Sequence, residues 1–169
     1  MQNKKNSLIL SGIIFLAYTI VYNQLALIII SDSSKIKFLV HSIDGIKITN
    51  IYFFLSLIIF ITSTLVIIIS YFIYKVFLNI SHIKNIDSLK LLTALLLSML
   101  PGSALAYTLL TFHILATDSI LIKILSIVCS CITLCLLISE DAKKKERIKF
   151  TILSSCYCIV NIIISVMFF

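Results

Sequence analysis

Glycine occurs three times in this chain and proline once, and no acidic residue lies deep in any of its long apolar runs. Three scattered glycines cannot build a phosphate-cradling loop, and neither a G-x-S-x-G elbow nor an H-E-x-x-H pair is present. The missing intramembrane carboxylates weigh against a proton-coupled pump, whose relay needs a group that titrates within the bilayer. Aromatics interleaved with a basic stripe are also absent, so the net charge of +7 does not point to nucleic acid. All five cysteines, Cys129, Cys131, Cys135, Cys156 and Cys158, fall inside apolar runs. That is the wrong place for a secreted disulfide framework. No cleavable signal is evident, because the first apolar run is too long for a typical h-region and lacks an A-x-A-like site.

What the chain has in abundance is apolar surface. Hydrophobic residues make up 60% of its 169 positions and the mean hydropathy is +1.16. Soluble domains hold roughly 45–50% apolar residues, and a water-soluble fold of this size could not hide the excess. The pattern predicts an all-α, polytopic transmembrane helix bundle. It forms a single membrane domain over 1–169, with five spans at about 7–30, 51–77, 91–115, 120–139 and 150–169. Each run is about long enough to cross a hydrocarbon core of roughly 30 Å.

The third run, LLTALLLSMLPGSALAYTLLTFHIL, is the centre of this reading. Ala94, Ser98, Gly102 and Ala106 recur every four residues and share one helix face. A small-residue ladder lets another helix approach closely in lipid, so these positions are the expected contact face. Pro101 removes a backbone donor there, and a kink near Leu97 is expected. In the first span, Asn23 and Gln24 are expected to hydrogen-bond between helices. Thr62, Ser63 and Thr64 in the second are expected to bond back to their own helix. Asp87 or Ser88 is expected to cap the third.

Orientation follows from the basic residues. With the N-terminus cytoplasmic, the inside carries Lys4, Lys5, Lys75, Lys84, Lys90, Lys143, Lys144, Lys145, Arg147 and Lys149, and the outside carries Lys35, Lys37, Lys47 and Lys123. The excess lies inside, which leaves the C-terminus outside. The segment 140–149, with Lys143, Lys144, Lys145, Arg147 and Lys149, reads as a solvated basic cytoplasmic linker that orients its neighbours. A docking patch for anionic lipid is the alternative. The linker 31–50 fits either a small hairpin or an amphipathic piece on the membrane surface.

Two constellations invite chemistry. Cys131, Cys135 and Cys156 should lie at similar depth, and three thiolates there could hold a soft metal. Packing is the favoured role, so no metal or cofactor is expected. His113 is the only histidine in a span and should sit near the outer end, beside Asp118 and Lys123. A peptidase would need it close to a cysteine, and the nearest by depth, Cys129, lies roughly 13 Å into its span.

From about Ile51 onward the layout resembles the Yip family of five-span membrane proteins. The resemblance is carried by 71–105, YFIYKVFLNISHIKNIDSLKLLTALLLSMLPGSAL. Leu89, Leu91, Leu92, Pro101, Gly102 and Ser103 take the places of the family's span opening and of its central proline followed by small residues. Lys143 to Lys149 match its lysine-rich linker before the last span. The glycines usual before span three are absent, as is a long polar region ahead of span one. The resemblance therefore implies a bacterial-type member in the cytoplasmic membrane rather than a GTPase-binding one. It implies a non-enzymatic adaptor or organiser that binds another membrane protein, a second copy of itself, or lipid. A small permease or the membrane subunit of a transporter or immunity system is the alternative, and a membrane-embedded peptidase the third reading.

Overall fold

The computed structural model describes residues 2–32, 48–112, 114, 120–140 and 142–167. The linker 33–47, His113 and Asp118 lie outside the described residues, so the expectations placed on them are not addressed by the structure. The described chain forms five helices: α1 (Gln2–Asp32), α2 (Ile48–Ile80), α3 (Ser88–Thr111), α4 (Ile120–Ser139) and α5 (Lys144–Met167). All five are long and apolar enough to cross a membrane. The chain is thus an all-α, polytopic bundle of five candidate spans.

The outside of the bundle carries Leu, Ile, Val and Phe, such as Leu16, Ile20, Phe53, Phe54, Phe72, Leu136 and Ile164, while hydroxyls lie within. Ser11, Thr19, Ser63, Ser70, Ser98, Ser103 and Ser154 are all buried. Water would favour the reverse distribution, whereas hydrocarbon solvates the apolar exterior and leaves hydroxyls to find partners inside. Most do so locally. Thr19, Thr62, Ser63, Thr64, Ser98 and Ser103 donate to carbonyls three or four residues back. Others join helices, as Ser11 does with Thr93 at 2.6 Å and Asn23 with Ser56 at 3.2 Å. Gln24 is exposed.

Helix α3 packs against α1, α2 and α4, α5 packs against α4 and α2, and α1 packs against α2. The most extensive of these contacts is α3 with α4, and its tightest point is Gly102. A Cβ there would lie 2.6 Å from the Ser126 carbonyl oxygen and 2.8 Å from Ser130 Oγ. The glycine hydrogen points at that carbonyl instead, a contact that recurs between closely packed helices. Pro101, one residue away, is exposed, and α3 runs on through it without a break.

The helix ends that face the α2–α3 and α4–α5 connections are finished by local chemistry. Ile83 N–H reaches the Leu78 carbonyl and His82 N–H the Asn79 carbonyl, with His82 at φ 62°. This is a Schellman ending, and its usual apolar contact is supplied by buried Leu78 and Ile83. Asp87 Oδ1 accepts from Lys90 N at 2.7 Å and caps α3. Glu146 accepts from the Lys143 backbone N–H at 3.2 Å, the reciprocal half of a capping box. Helix α5 therefore starts at Lys144, six residues before the expected 150. Lys144, Lys145, Arg147 and Lys149 belong to its first turns rather than to a linker. Hydropathy marks where lipid begins, while Lys, Glu and Arg are good helix formers that carry a helix past that boundary. Arg147 also donates to the Ser139 carbonyl and so caps α4.

Replacing Gly102 by alanine should force α3 from α4 and cost about 1–3 kcal/mol. Gly12→Ala, with nothing within 4 Å of the added methyl, should cost nothing. Thermal unfolding in detergent measures both. Equal melting temperatures for the two variants would show that the α3–α4 contact at Gly102 is not the tight point of the fold.

Candidate functional site

Three of the four ladder residues, Ser98, Gly102 and Ala106, are buried, and Ala94 is half-buried against the core. The expected contact face is occupied by the chain's own helices, with α4 seated on Gly102. The basic residues Lys143, Lys144, Lys145, Arg147 and Lys149 are exposed at the end of the bundle where α4 joins α5. They line no recess, and of the ladder residues Ser98 alone does.

The recess lies beside the ladder, on a face of α3 that includes Leu95, Ser98, Met99 and Ser103. It is a cavity of about 410 Å³ to which all five helices contribute. Ligand cavities run from roughly 300 to 1,000 Å³ and often sit between the helices of a bundle. Four tyrosines line it, Tyr18, Tyr22, Tyr74 and Tyr157, with serines from α2, α3, α4 and α5 and the carboxamide of Asn161. No Asp, Glu, Lys, Arg or His is among the lining residues.

The floor is an aromatic cluster toward the end of the bundle where α4 joins α5. Tyr74 of α2 packs on Tyr157 and Phe150 of α5, with ring centroids 5.7 and 6.1 Å away, and Phe77 closes on Tyr157 at 6.1 Å. Leu91, Ile138, Ala142 and Ile83 belong to the same buried apolar cluster and plug the bundle there. At the other end a smaller cluster of Leu25, Ala106, Leu110 and Ile122 joins α1, α3 and α4. It holds no residue of α2 or α5.

The walls hold polar groups that the protein does not satisfy. Ser98 and Ser103 bond back to their own helix. Ser70, Ser126, Ser130, Asn161 and Ser165 make no side-chain hydrogen bond to any described residue. Lining a recess, they are open to any polar molecule that enters it, whereas the buried hydroxyls without a partner among the described residues, those of Ser81 and Ser154, lie outside the lining. The Asn161 carboxamide offers the most, with two donors and an acceptor.

The cysteines are placed differently from the expected trio. Cys131, Cys135 and Cys158 lie together, and Cys131 Sγ also reaches the Ser154 carbonyl at 3.6 Å. Cys156 is exposed on the opposite side of α5. The reason is helical phase. Phe150, Ser154 and Cys158 recur every four residues and form the buried stripe of α5, so a residue two positions away points outward. That spacing was readable in the sequence, as was the Ser70, Tyr74 and Leu78 stripe of α2. Among the described residues, no three of His, Cys, Asp and Glu are placed to hold a metal ion.

A scan against protein-family models found no match, and neither the curated proteins nor the solved structures gave one.

The cavity predicts a reactivity difference. With Cys131 as the sole cysteine, alkylation by uncharged N-ethylmaleimide should outpace that of a protein retaining only Cys156. The first thiol lines a recess edged by hydroxyls and a carboxamide that can admit water, and the second is exposed on the outer face of α5. Mass spectrometry of vesicle-embedded protein reads the rates. Equal or reversed rates would mean that the recess is dry and apolar.

Proposed function

We propose that this chain is a non-enzymatic membrane organiser of the bacterial cytoplasmic membrane that works by binding a small uncharged molecule inside its bundle. The observation that carries the reading is the set of unsatisfied hydroxyls and the Asn161 carboxamide around an uncharged cavity between spans. A purely structural bundle gains nothing from leaving such groups unpaired in hydrocarbon. The resemblance to the Yip family points to the same class, an organiser that engages lipid or another membrane protein. A protein partner or a second copy would meet the lipid-facing surface, where α2 offers Phe53, Phe54, Phe60 and Phe72.

A second reading, a small permease, draws on the same cavity, because substrate sites of transporters lie between spans near the bilayer midplane. The aromatic floor and the plug beneath it argue for binding without passage. Stopped-flow light scattering on proteoliposomes holding this chain alone separates the two. The organiser leaves glycerol and urea permeation at the level of protein-free vesicles. A clear acceleration by the wild-type chain, lost in Asn161→Leu, would replace it with the permease.

The proposed topology has the N-terminus inside and the C-terminus outside, in line with the basic excess at the inner end. Alkaline phosphatase fused after Phe169 should be active, and a fluorescent protein fused there dark. Neutralising Lys143, Lys144, Lys145, Arg147 and Lys149 together should lower phosphatase activity by weakening that bias. An active cytosolic reporter at Phe169 in the unaltered chain would invert the topology.

A further inference from the structure

Resting on the binding reading above, we infer that the cavity takes the hydroxyl-bearing head of an uncharged lipid, which reaches it sideways from the bilayer between α2 and α5. The argument is one of register. Helices α2 and α5 run in opposite directions and meet at Tyr74 and Tyr157. Four residues outward on each, Ser70 faces the level of Asn161. Eight residues outward, Val66 faces the level of Ser165. All of these line the cavity. At 1.5 Å per residue the two steps stand roughly 6 and 12 Å above the aromatic floor.

The seam between the two helices opens along that ladder. No ring contact or hydrogen bond joins α2 to α5 beyond Tyr74 and Tyr157 among the described residues. The buried stripe of α5 stops at Cys158. Val66 is both a lining residue and 50% exposed on the lipid-facing side, so it marks the rim. A molecule dissolved in the bilayer meets this opening directly, whereas one coming from the cytosol meets the aromatic floor and its plug.

The lining sets the chemistry of the head. With no Asp, Glu, Lys, Arg or His among the lining residues, a phosphate or ammonium would be stripped of water without a charged partner in compensation. Hydroxyls suit the site, because each can donate to one serine or carboxamide oxygen and accept from another. Tyr18 and Tyr22, stacked at 5.6 Å, offer an aromatic wall to the carbon side of such a head. The acyl chain leaves past Val66 into the lipid.

The test uses the full chain in phosphatidylcholine nanodiscs and a monoacylglycerol carrying a photoactivatable acyl chain. Labelling should saturate, map to peptides spanning Val66–Tyr74 and Tyr157–Ser165, and be competed by unlabelled monoacylglycerol but not by phosphatidylglycerol. Asn161→Leu should weaken labelling about tenfold, equivalent to one lost hydrogen bond of about 1.4 kcal/mol. Val66→Trp keeps every polar group and narrows only the rim, at a position exposed enough to accept it. It should abolish labelling at an unchanged melting temperature. Labelling unaffected by Val66→Trp overturns access through the seam. Competition by free glycerol as strong as by monoacylglycerol overturns the lipid and leaves the binding reading standing with a water-borne ligand. Absence of saturable labelling together with no effect of glycerol on Cys131 alkylation overturns both.

Discussion

The close approach of α3 to α4 at Gly102 governs the rest of the bundle. A glycine hydrogen aimed at the Ser126 carbonyl lets two helices meet where any side chain would hold them apart. That contact fixes α4, and α4 in turn fixes α5 through a short connection capped by Arg147 and Glu146. With α1 and α2 on its other sides, α3 is the element against which most of the buried surface forms. In hydrocarbon there is no hydrophobic drive to gather helices, so such points of dense packing carry the association.

The same contact shapes the cavity. Drawing α4 onto α3 turns Ser126 and Ser130 toward the interior beside Ser98 and Ser103. Helix α5 is buried only at Phe150, Ser154 and Cys158, and its described residues after Cys158 include no buried one. A bundle packed well at one end and loosely along one seam must enclose space between them. The polar groups that face this space are therefore not errors of packing but its chemical definition. Their neutrality selects what can sit there as firmly as their hydrogen-bonding capacity does.

The organiser reading and the topology share one physical basis. Charges are confined to helix ends, where water and lipid heads can solvate them, and the lining of the cavity holds no Asp, Glu, Lys, Arg or His.

The number of spans, the boundaries of α4, the caps at Asp87 and the back-bonded Thr62, Ser63 and Thr64 were legible without coordinates. Lipid imposes a length and a polarity on each run, and capping is chemistry between near neighbours in the chain. The early start of α5 was less legible, because hydropathy registers the solvent and not the backbone. The inward stripes of α2 and α5 can be read from the spacing of Ser70, Tyr74 and Leu78 and of Phe150, Ser154 and Cys158, but helices this apolar on every side do not say which neighbour such a stripe meets. Cys158 rather than Cys156 faces Cys131, Ser70 and Asn161 share a level, and the ladder of Ala94, Ser98, Gly102 and Ala106 is spent within the chain. These are decided by packing between residues far apart in sequence. Sequence alone thus determined that the chain lives in a bilayer and how often it crosses. Only the tertiary structure decided where its unsatisfied polar groups converge, because in a membrane the inside of a protein differs from its outside by contact and not by hydrophobicity.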